Sequence, residues 1–154
     1  MKVLILGHTQ SGKSLAAKMV AEILNSPAPA SSTSKYIIRD YAKSVGKQPE
    51  EIAQNKDEYR QQLFQYGKKI QAKDPAYPVS EALKETDVVA GVRTAEQLKA
   101  VAPLFDKILW IHRDVPKGKT DINIEDAKEA SAEIINNTGS IDDLKVRLIA
   151  AFQN

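Results

Sequence analysis

Hydrophobic and polar positions along the chain follow two alternating patterns, short continuous apolar runs and helical spacing. Residues 3–6 are apolar throughout and are followed by Gly7, as expected of a strand buried on both faces of a parallel sheet. From Gly12 onward, Leu15, Met19 and Ile23 recur at helical spacing. The start of the chain therefore predicts a strand, a short loop and a helix.

The same alternation continues towards the C-terminus. The Pro- and Ser-rich segment 25–34 predicts a surface loop, and KYIIRD at 35–40 predicts a second strand that ends at Asp40. Pro49 opens a long helical pattern, and a short helix is predicted at 79–85. Further strands are predicted at 87–93, at 107–113 and, more weakly, at 132–137.

Two capping boxes mark helix starts in the second half of the chain. Thr94 with Gln97 begins a helix that reaches about residue 102, and Ser140 with Asp143 begins a final amphipathic helix. Strands that alternate with helices form βαβ units around a parallel sheet. The pattern predicts one α/β domain over residues 1–154, a three-layer α/β/α fold with a parallel sheet of about five strands.

Composition narrows the class of protein. The chain has 154 residues, of which 42% are hydrophobic and 27% charged, which is typical of one globular domain. With 22 Lys and Arg against 20 Asp and Glu, the net charge of +2 does not favour a nucleic-acid partner. The absence of cysteine excludes disulfides and thiolate metal sites. We expect a cytoplasmic protein, because no segment is typical of a signal peptide or a membrane span.

The segment GHTQSGKS, here called the phosphate loop (Gly7–Ser14), matches the Walker A pattern between a predicted strand and a predicted helix. Its backbone N–H groups and the helix N-terminus are suited to phosphate oxygens. Lys13 is expected to bridge the β- and γ-phosphates of ATP, and Ser14 to bind Mg²⁺, whereas His8 acts as a spacer. The residues expected to bind the ATP phosphates are Gly7, Thr9, Gln10, Ser11, Gly12, Lys13, Ser14 and Leu15.

Two segments beyond this loop are candidates for binding the acceptor, because ligands of such sheets bind at the C-terminal ends of the strands. Asp40, at the end of the second predicted strand, either orients an acceptor or caps a helix. Arg93 follows the third predicted strand, where a guanidinium either clamps a second phosphate or forms an ordinary salt bridge.

A predicted helical face offers a third candidate. Lys56, Arg60, Phe64 and Gly67 are spaced by four, four and three residues and so share one face. A cation, an aromatic ring and a glycine suit a planar anionic ligand. The alternative is a solvated charged face with Phe64 turned to the core.

Taken in order, five segments resemble the deoxynucleoside monophosphate kinases of phage type and, more distantly, the dephospho-coenzyme A kinases. They are the phosphate loop, RDYAK, YRQQLFQYGKKIQAKDP, DVVAGVRTAEQLK and AEIINNTGSIDDL. The resemblance implies a P-loop kinase fold, ATP and Mg²⁺ as cofactors and a small-molecule nucleotide as substrate. It further implies a monomer or homodimer that is phage-encoded and acts in the host cytoplasm.

The resemblance also implies roles for individual residues. The residues implied in catalysis are Lys13, Asp40, Arg60 and Arg93. Those implied in binding the acceptor are Asp40, Arg60, Gly67 and Arg93, and the helical face described above adds Phe64. The loop implied to cradle adenine consists of Asn136, Asn137, Thr138 and Gly139.

The chain departs from this family in two places. Family members often carry an acidic residue where this chain has Gly91, and Asp87 lies at the wrong end of the strand to replace it as a Mg²⁺ ligand. The segment 114–126 is also short for a lid that closes over ATP, although Arg113, Lys117 and Lys119 would suit a reduced one.

Three functions agree with these features. The first is transfer of the γ-phosphoryl group of ATP to a (deoxy)nucleoside 5′-monophosphate. The second keeps the phosphate loop but uses a hydroxyl acceptor, with Asp40 as general base. The third is a nucleotide-binding accessory protein with weak or no catalysis. A regulatory GTPase is disfavoured, because the chain has no N-K-x-D guanine signature.

Overall fold

The computed structural model describes residues 1–8, 10–114 and 122–153. The strands in these ranges are β1 (Val3–Leu6), β2 (Ser31–Ser32), β3 (Val88–Ala90), β4 (Lys107–His112) and β5 (Glu133–Asn136). The α-helices are α1 (Lys13–Ile23), α2 (Thr33–Ser44), α3 (Pro49–Gln54), α4 (Lys56–Lys73), α5 (Tyr77–Ala82), α6 (Ala95–Val101), α7 (Ile124–Glu129) and α8 (Ile141–Ala151). A 3₁₀ turn at Ala102–Leu104 follows α6.

The strands form one parallel sheet in the order β2-β3-β1-β4-β5. Ile5 is paired with Ala90, and Leu6 with Trp110, so β1, β3 and β4 end at the same edge. Segments that follow these strands are therefore brought together there. The phosphate loop follows the central strand, β1.

Helices cover both faces of the sheet. On one face, Val3 and Ile5 pack against α1 and α8 in a core that includes Leu144. On the opposite face, Leu4 and Leu6 belong to a second core with residues of α2, α5, α6 and α7. This two-sided burial is the reason for the continuous apolar run of β1. The predicted three-layer α/β/α fold with a parallel sheet of about five strands is confirmed.

The prediction of a strand at 35–40 is wrong, because these residues lie within α2. The Ser32 side chain accepts a hydrogen bond from the Ser34 N–H and caps that helix. The strand at this edge of the sheet is therefore only the two residues of β2, which precede the helix. Tyr36, Ile37 and Ile38 are all buried, since α2 lies between the sheet and another helical layer. Periodicity does not distinguish so short an apolar run in a buried helix from a strand.

The remaining predicted elements differ from the observed ones mainly at their boundaries. The long helical pattern from Pro49 is divided into α3 and α4 at Asn55. The Thr94 hydroxyl accepts from the Gln97 N–H, but the Gln97 side chain accepts from Arg93 and not from Thr94, so only half of the predicted capping box forms. Ser140 with Asp143 forms a complete capping box at α8. Within the described ranges, no helix is long and apolar enough to cross a membrane.

Candidate functional site

The phosphate loop forms a tight turn between β1 and α1. Gln10 has a φ of 68° and Gly12 a φ of 93°, and the Ser11 N–H donates to the His8 carbonyl over 3.1 Å. Gly12 is the N-cap of α1, a helix of eleven residues. The N–H groups of its first turn have no partner within the helix and point towards the sheet edge where β1 ends. This arrangement offers several backbone donors to one anion. Thr9, also predicted to bind phosphate, lies outside the described residues.

Both glycines of the motif are required by the space around them. A Cβ at Gly7 would lie 2.5 Å from Ser11 Oγ and 2.9 Å from the Ile111 carbonyl oxygen. A Cβ at Gly12 would lie 2.4 Å from Asn137 Nδ2, and the positive φ there is strained for other residues. The two glycines therefore let the loop lie directly against β4 and the segment after β5.

Lys13 and Arg93 are close enough for their charges to interact. Lys13 Nζ donates to the Gly7 carbonyl over 3.1 Å. Burial lowers the pKa of Lys13 below its usual value, and the charge of Arg93 lowers it further. In the part of the chain that the structure describes, neither cation forms a salt bridge with a carboxylate. The salt-bridge alternative for Arg93 therefore has no support there, and both positive charges are available to an anion.

The segment that carries Arg93 is held from two sides. Gly91 has a φ of 97°, and its carbonyl accepts from the Thr33 hydroxyl over 3.1 Å. The Arg93 N–H donates to Gln97 Oε1 over 3.3 Å. Sequence reasoning identified Gln97 only as part of a capping box and missed that its side chain reaches back to Arg93. It also missed Thr33, although a Ser/Thr cluster before an apolar run is an N-cap signal.

The missing acidic residue at Gly91 has a steric explanation. A Cβ there would lie 2.8 Å from Thr33 Oγ1 and 2.9 Å from Ser32 Oγ, so a carboxylate side chain does not fit. Across the described ranges, no group of three or more His, Asp or Glu residues is placed to hold a metal ion. Ser14 lies exposed in the first turn of α1, where its hydroxyl is accessible to a hard cation.

The predicted adenine loop lies beside the phosphate loop. Asn137 is buried, its Nδ2 donates to the Ser11 carbonyl over 2.8 Å, and its N–H donates to the His112 carbonyl over 2.7 Å. The neighbouring residues Asn136, Thr138 and Gly139 are exposed. The structure thus brings this loop, the phosphate loop and Arg93 together at one edge of the sheet.

Asp40 lies in a different environment from the one predicted. It is within α2 and does not cap it, because Ser32 does. Arg39 Nε donates to Asp40 Oδ1 over 2.9 Å, and the Tyr77 hydroxyl donates to Oδ2 over 2.7 Å. Burial acts to raise the pKa of Asp40, but these two hydrogen bonds outweigh it and hold the pKa below its usual value.

Asp40 borders a cavity of about 520 Å³ beside α2. Its lining residues are mostly charged and are Arg39, Asp40, Lys43, Lys47, Pro49, Tyr77 and Glu81. Arg39 also donates to Glu81 over 2.9 Å, so the two acids and this arginine form one network.

The predicted face of α4 is divided between solvent and protein. Arg60 is exposed and pairs with Asp57, one turn before it. Phe64 is 58% exposed, with Lys68 Nζ 4.9 Å from its ring centre, so the alternative in which Phe64 turns to the core is wrong. Gly67 is buried with Ile37 of α2 as its nearest neighbour, which separates it from the exposed pair.

Of the described residues predicted for the acceptor, Arg93 is the one whose charge acts on a residue of the phosphate loop, where it lowers the pKa of Lys13. Asp40, Arg60, Phe64 and Gly67 lie on α2 and α4, which pack against each other through a separate apolar cluster. The predicted lid residues Lys117 and Lys119 lie outside the described ranges.

Comparisons with known proteins give little further information. No protein-family model matches the chain, and no curated protein matches it. Among solved structures, shikimate kinase from Aquifex aeolicus vf5 is 14% identical, with a TM-score of 0.49. That match covers 98% of this chain and 95% of the other. It is too distant to assign an activity or a substrate to this chain.

Proposed function

We propose that this protein is an ATP-dependent phosphotransferase that acts on a (deoxy)nucleoside 5′-monophosphate. The observation that carries this proposal is the sheet edge at which the paired strands β1 and β3 both end, which brings Arg93 to the side of the phosphate loop, where its charge acts on Lys13. In the described ranges no carboxylate is paired to either cation. Transfer between two phosphates brings several negative charges to one place and therefore needs several positive ones.

The residues of the chain act mainly by positioning and by neutralising charge. The N–H groups of the phosphate loop and of the first turn of α1 bind the ATP phosphates. Lys13 contacts the β- and γ-phosphates, and Arg93 holds the acceptor phosphate or the transferring group. The acceptor oxygen forms a bond to the γ-phosphorus as the bond to the β-phosphate oxygen breaks, and ADP leaves. A monophosphate oxygen is already ionised at neutral pH, so no strong general base is required.

Mg²⁺ is the metal that this chemistry implies, and it neutralises phosphate charge when bound. The Ser14 hydroxyl would hold it, together with phosphate oxygens and water, which are ligands that Mg²⁺ prefers. This fits a chain in which Gly91 has no room for a carboxylate. Asn136, Thr138 and Gly139 are exposed beside the phosphate loop and would bind the adenine of ATP.

The remaining predicted residues stay part of the proposal for the acceptor. Arg60, Phe64 and Gly67 of α4 and Asp40 of α2 would contribute to the monophosphate pocket, as the helical face and the family resemblance imply. The family resemblance also favours a phage-encoded cytoplasmic protein that acts as a monomer or homodimer.

A hydroxyl acceptor is less well supported. That reaction would need Asp40 as a general base, but Arg39 and Tyr77 bond both of its oxygens and lower its pKa. The other candidate, a nucleotide-binding protein without catalysis, is favoured by Gly91, where no Mg²⁺-binding carboxylate fits.

The proposal is tested by a coupled assay of ADP release with ATP and Mg²⁺, in which each ribo- and deoxynucleoside monophosphate is offered separately. We expect release with one or a few acceptors, and loss of that release in Lys13→Ala. Lys145→Ala removes an exposed lysine of α8 and serves as the matched control. Background release with every acceptor, in a protein that still binds ATP, would contradict the kinase and favour the non-catalytic alternative.

A further inference from the structure

Asn137 makes a side-chain contact that a role in adenine binding does not explain. Its Nδ2 lies 2.8 Å from the Ser11 carbonyl oxygen, in a buried bond between residues 126 positions apart in sequence. Only the NH₂ side of a carboxamide can approach a carbonyl in this way, because two acceptors would repel each other. The same nitrogen would lie 2.4 Å from a Cβ at Gly12, so the carboxamide fills the space beside that glycine.

The backbone of Asn137 is held as firmly as its side chain. Residue 136 is paired with His112 in the last register position of β4 and β5. The Asn137 N–H then donates to the His112 carbonyl over 2.7 Å and extends this ladder by one bond. The carboxamide is therefore presented to the phosphate loop from the sheet, and not from a free loop.

The bond from Asn137 determines which way one peptide group of the phosphate loop faces. Ser11 and Gly12 are joined by a trans peptide, in which the Ser11 C=O and the Gly12 N–H point in opposite directions. Because Asn137 holds that carbonyl, the Gly12 N–H faces away from Asn137. No acceptor within the described ranges takes this N–H, although it lies at the N-cap of α1 where anions bind.

We propose that Asn137 is a positioning residue for the phosphate loop: it fixes the Ser11–Gly12 peptide so that the Gly12 N–H donates to a phosphate oxygen. This inference rests on the proposed nucleotide binding, but it assigns Asn137 to the phosphates and not to the base. It also couples the exposed residues 136, 138 and 139 to the phosphate loop through one side chain. Contacts at the base would then stabilise the loop that holds the phosphates.

The test compares wild type with Asn137→Leu, which keeps the shape of the side chain and its zero charge but loses the donor. Inorganic tripolyphosphate and ADP, both with Mg²⁺, are titrated by calorimetry. If Asn137 positions the loop, both probes weaken by the same factor, about 10- to 100-fold for the loss of one hydrogen bond to a charged group. If Asn137 contacts adenine instead, tripolyphosphate keeps its affinity and only ADP weakens, which would overturn the inference.

Asn55→Leu is the matched control, because Asn55 Nδ2 also donates to a backbone carbonyl, that of Glu51, over 2.9 Å. We expect it to leave both affinities unchanged. The Gly12 amide resonance in ¹H–¹⁵N spectra gives a direct readout. Tripolyphosphate should shift it strongly in wild type and much less in Asn137→Leu, and an equal shift in both proteins would contradict the proposed orientation.

A second variant covers the case in which Asn137→Leu does not fold. Asn137→Asp places a carboxylate oxygen against the Ser11 carbonyl, and protonation of that carboxylate restores a donor. Its tripolyphosphate affinity should approach that of wild type as the pH falls. A ratio of the two affinities that stays constant with pH would overturn the inference.

The outcomes for the proposed function and for Asn137 are distinguishable. If wild type binds neither probe, the proposed function fails. If wild type and Asn137→Leu bind both probes equally, only the role of Asn137 fails.

Discussion

At the scale of single residues, the ionisation of Lys13 reports on the site most directly. Its pKa is lowered first by burial and second by the charge of Arg93. Arg93→Met removes only the second cause. The pKa of Lys13 should therefore rise in this variant while staying below that of exposed lysines, since burial is the larger cause.

Competitive labelling with an amine-acylating reagent over a pH series, read by mass spectrometry, measures this pKa. Wild-type Lys13 should reach its half-maximal reactivity at a lower pH than in Arg93→Met. Lys99→Met removes an exposed cation from α6 and is the control. Equal midpoints in wild type and Arg93→Met would mean that Arg93 does not act on Lys13.

Asp40 gives a second residue-scale prediction, which concerns stability. Its pKa is lowered from 3.8, so the folded state binds the proton less tightly than the unfolded state does. The resulting stabilisation is fully present above the unfolded pKa and is lost as the pH falls through the folded one. Asp40→Asn should cost about 1 kcal/mol at neutral pH, a small value because Arg39 is partly exposed.

Urea unfolding of wild type and Asp40→Asn at several pH values tests this expectation. The difference in free energy of unfolding should be constant near neutrality and shrink below about pH 4. Asp142→Asn changes a carboxylate on the exposed first turn of α8 and is the control. Its free energy of unfolding at neutral pH should differ from that of wild type by less than that of Asp40→Asn does. Monophosphate-dependent turnover should persist in Asp40→Asn, and its complete loss in a folded protein would contradict transfer without a general base.

At the scale of elements, the sequence correctly predicted the strand before the phosphate loop and the helix after it, but misassigned α2. The loop was predictable because an apolar run, a fixed motif and helical spacing all follow one another locally. The strand β2 has only two residues, both serine, so no hydrophobic pattern marks it. The partners of Asp40 were equally hidden, because Tyr77 is 37 positions away and meets it only through the packing of α2 on α5.

Two glycines in different elements should respond in opposite ways to the same substitution. Gly91→Ala forces a Cβ to within 2.8 Å of Thr33 Oγ1 and 3.2 Å of the Thr33 backbone nitrogen, at a φ of 97°. We expect a loss of about 1–3 kcal/mol, from backbone strain and the displaced start of α2. Gly67 lies in α4, and a Cβ there would meet no atom closer than 3.8 Å, the distance to Ile37 of α2. Gly67→Ala should therefore raise the free energy of unfolding by up to about 1 kcal/mol, because alanine has the higher helix propensity.

Thermal and urea unfolding of the two variants measure this contrast, and each serves as the control for the other. If Gly91→Ala is as stable as wild type, the contact between the end of β3 and the start of α2 is looser than the structure describes. In that case the absence of a carboxylate at this position would no longer have a steric explanation.

At the scale of the whole molecule, the central sheet joins both apolar cores and the candidate site. Trp110 is the one tryptophan of the chain and is 1% exposed in the core on the α6 side. Its ring centre lies 5.1 Å from that of His8, in an edge-to-face contact next to the phosphate loop. Trp110 fluorescence should therefore report unfolding of the sheet and, through His8, occupation of the loop.

We expect residues 1–154 to unfold as one cooperative unit, because α2 contributes buried residues both to the sheet core and to the cluster with α3 and α4. Urea transitions followed by Trp110 fluorescence and by far-ultraviolet circular dichroism should coincide. ADP with Mg²⁺ at about 100 times its dissociation constant should raise the free energy of unfolding by about 2.7 kcal/mol. The shift should vanish in Lys13→Ala and persist in Lys145→Ala. Different urea midpoints by fluorescence and by circular dichroism would instead indicate that the layer of α3 and α4 unfolds independently. An acceptor pocket built on α4 could then open without disturbing the phosphate loop.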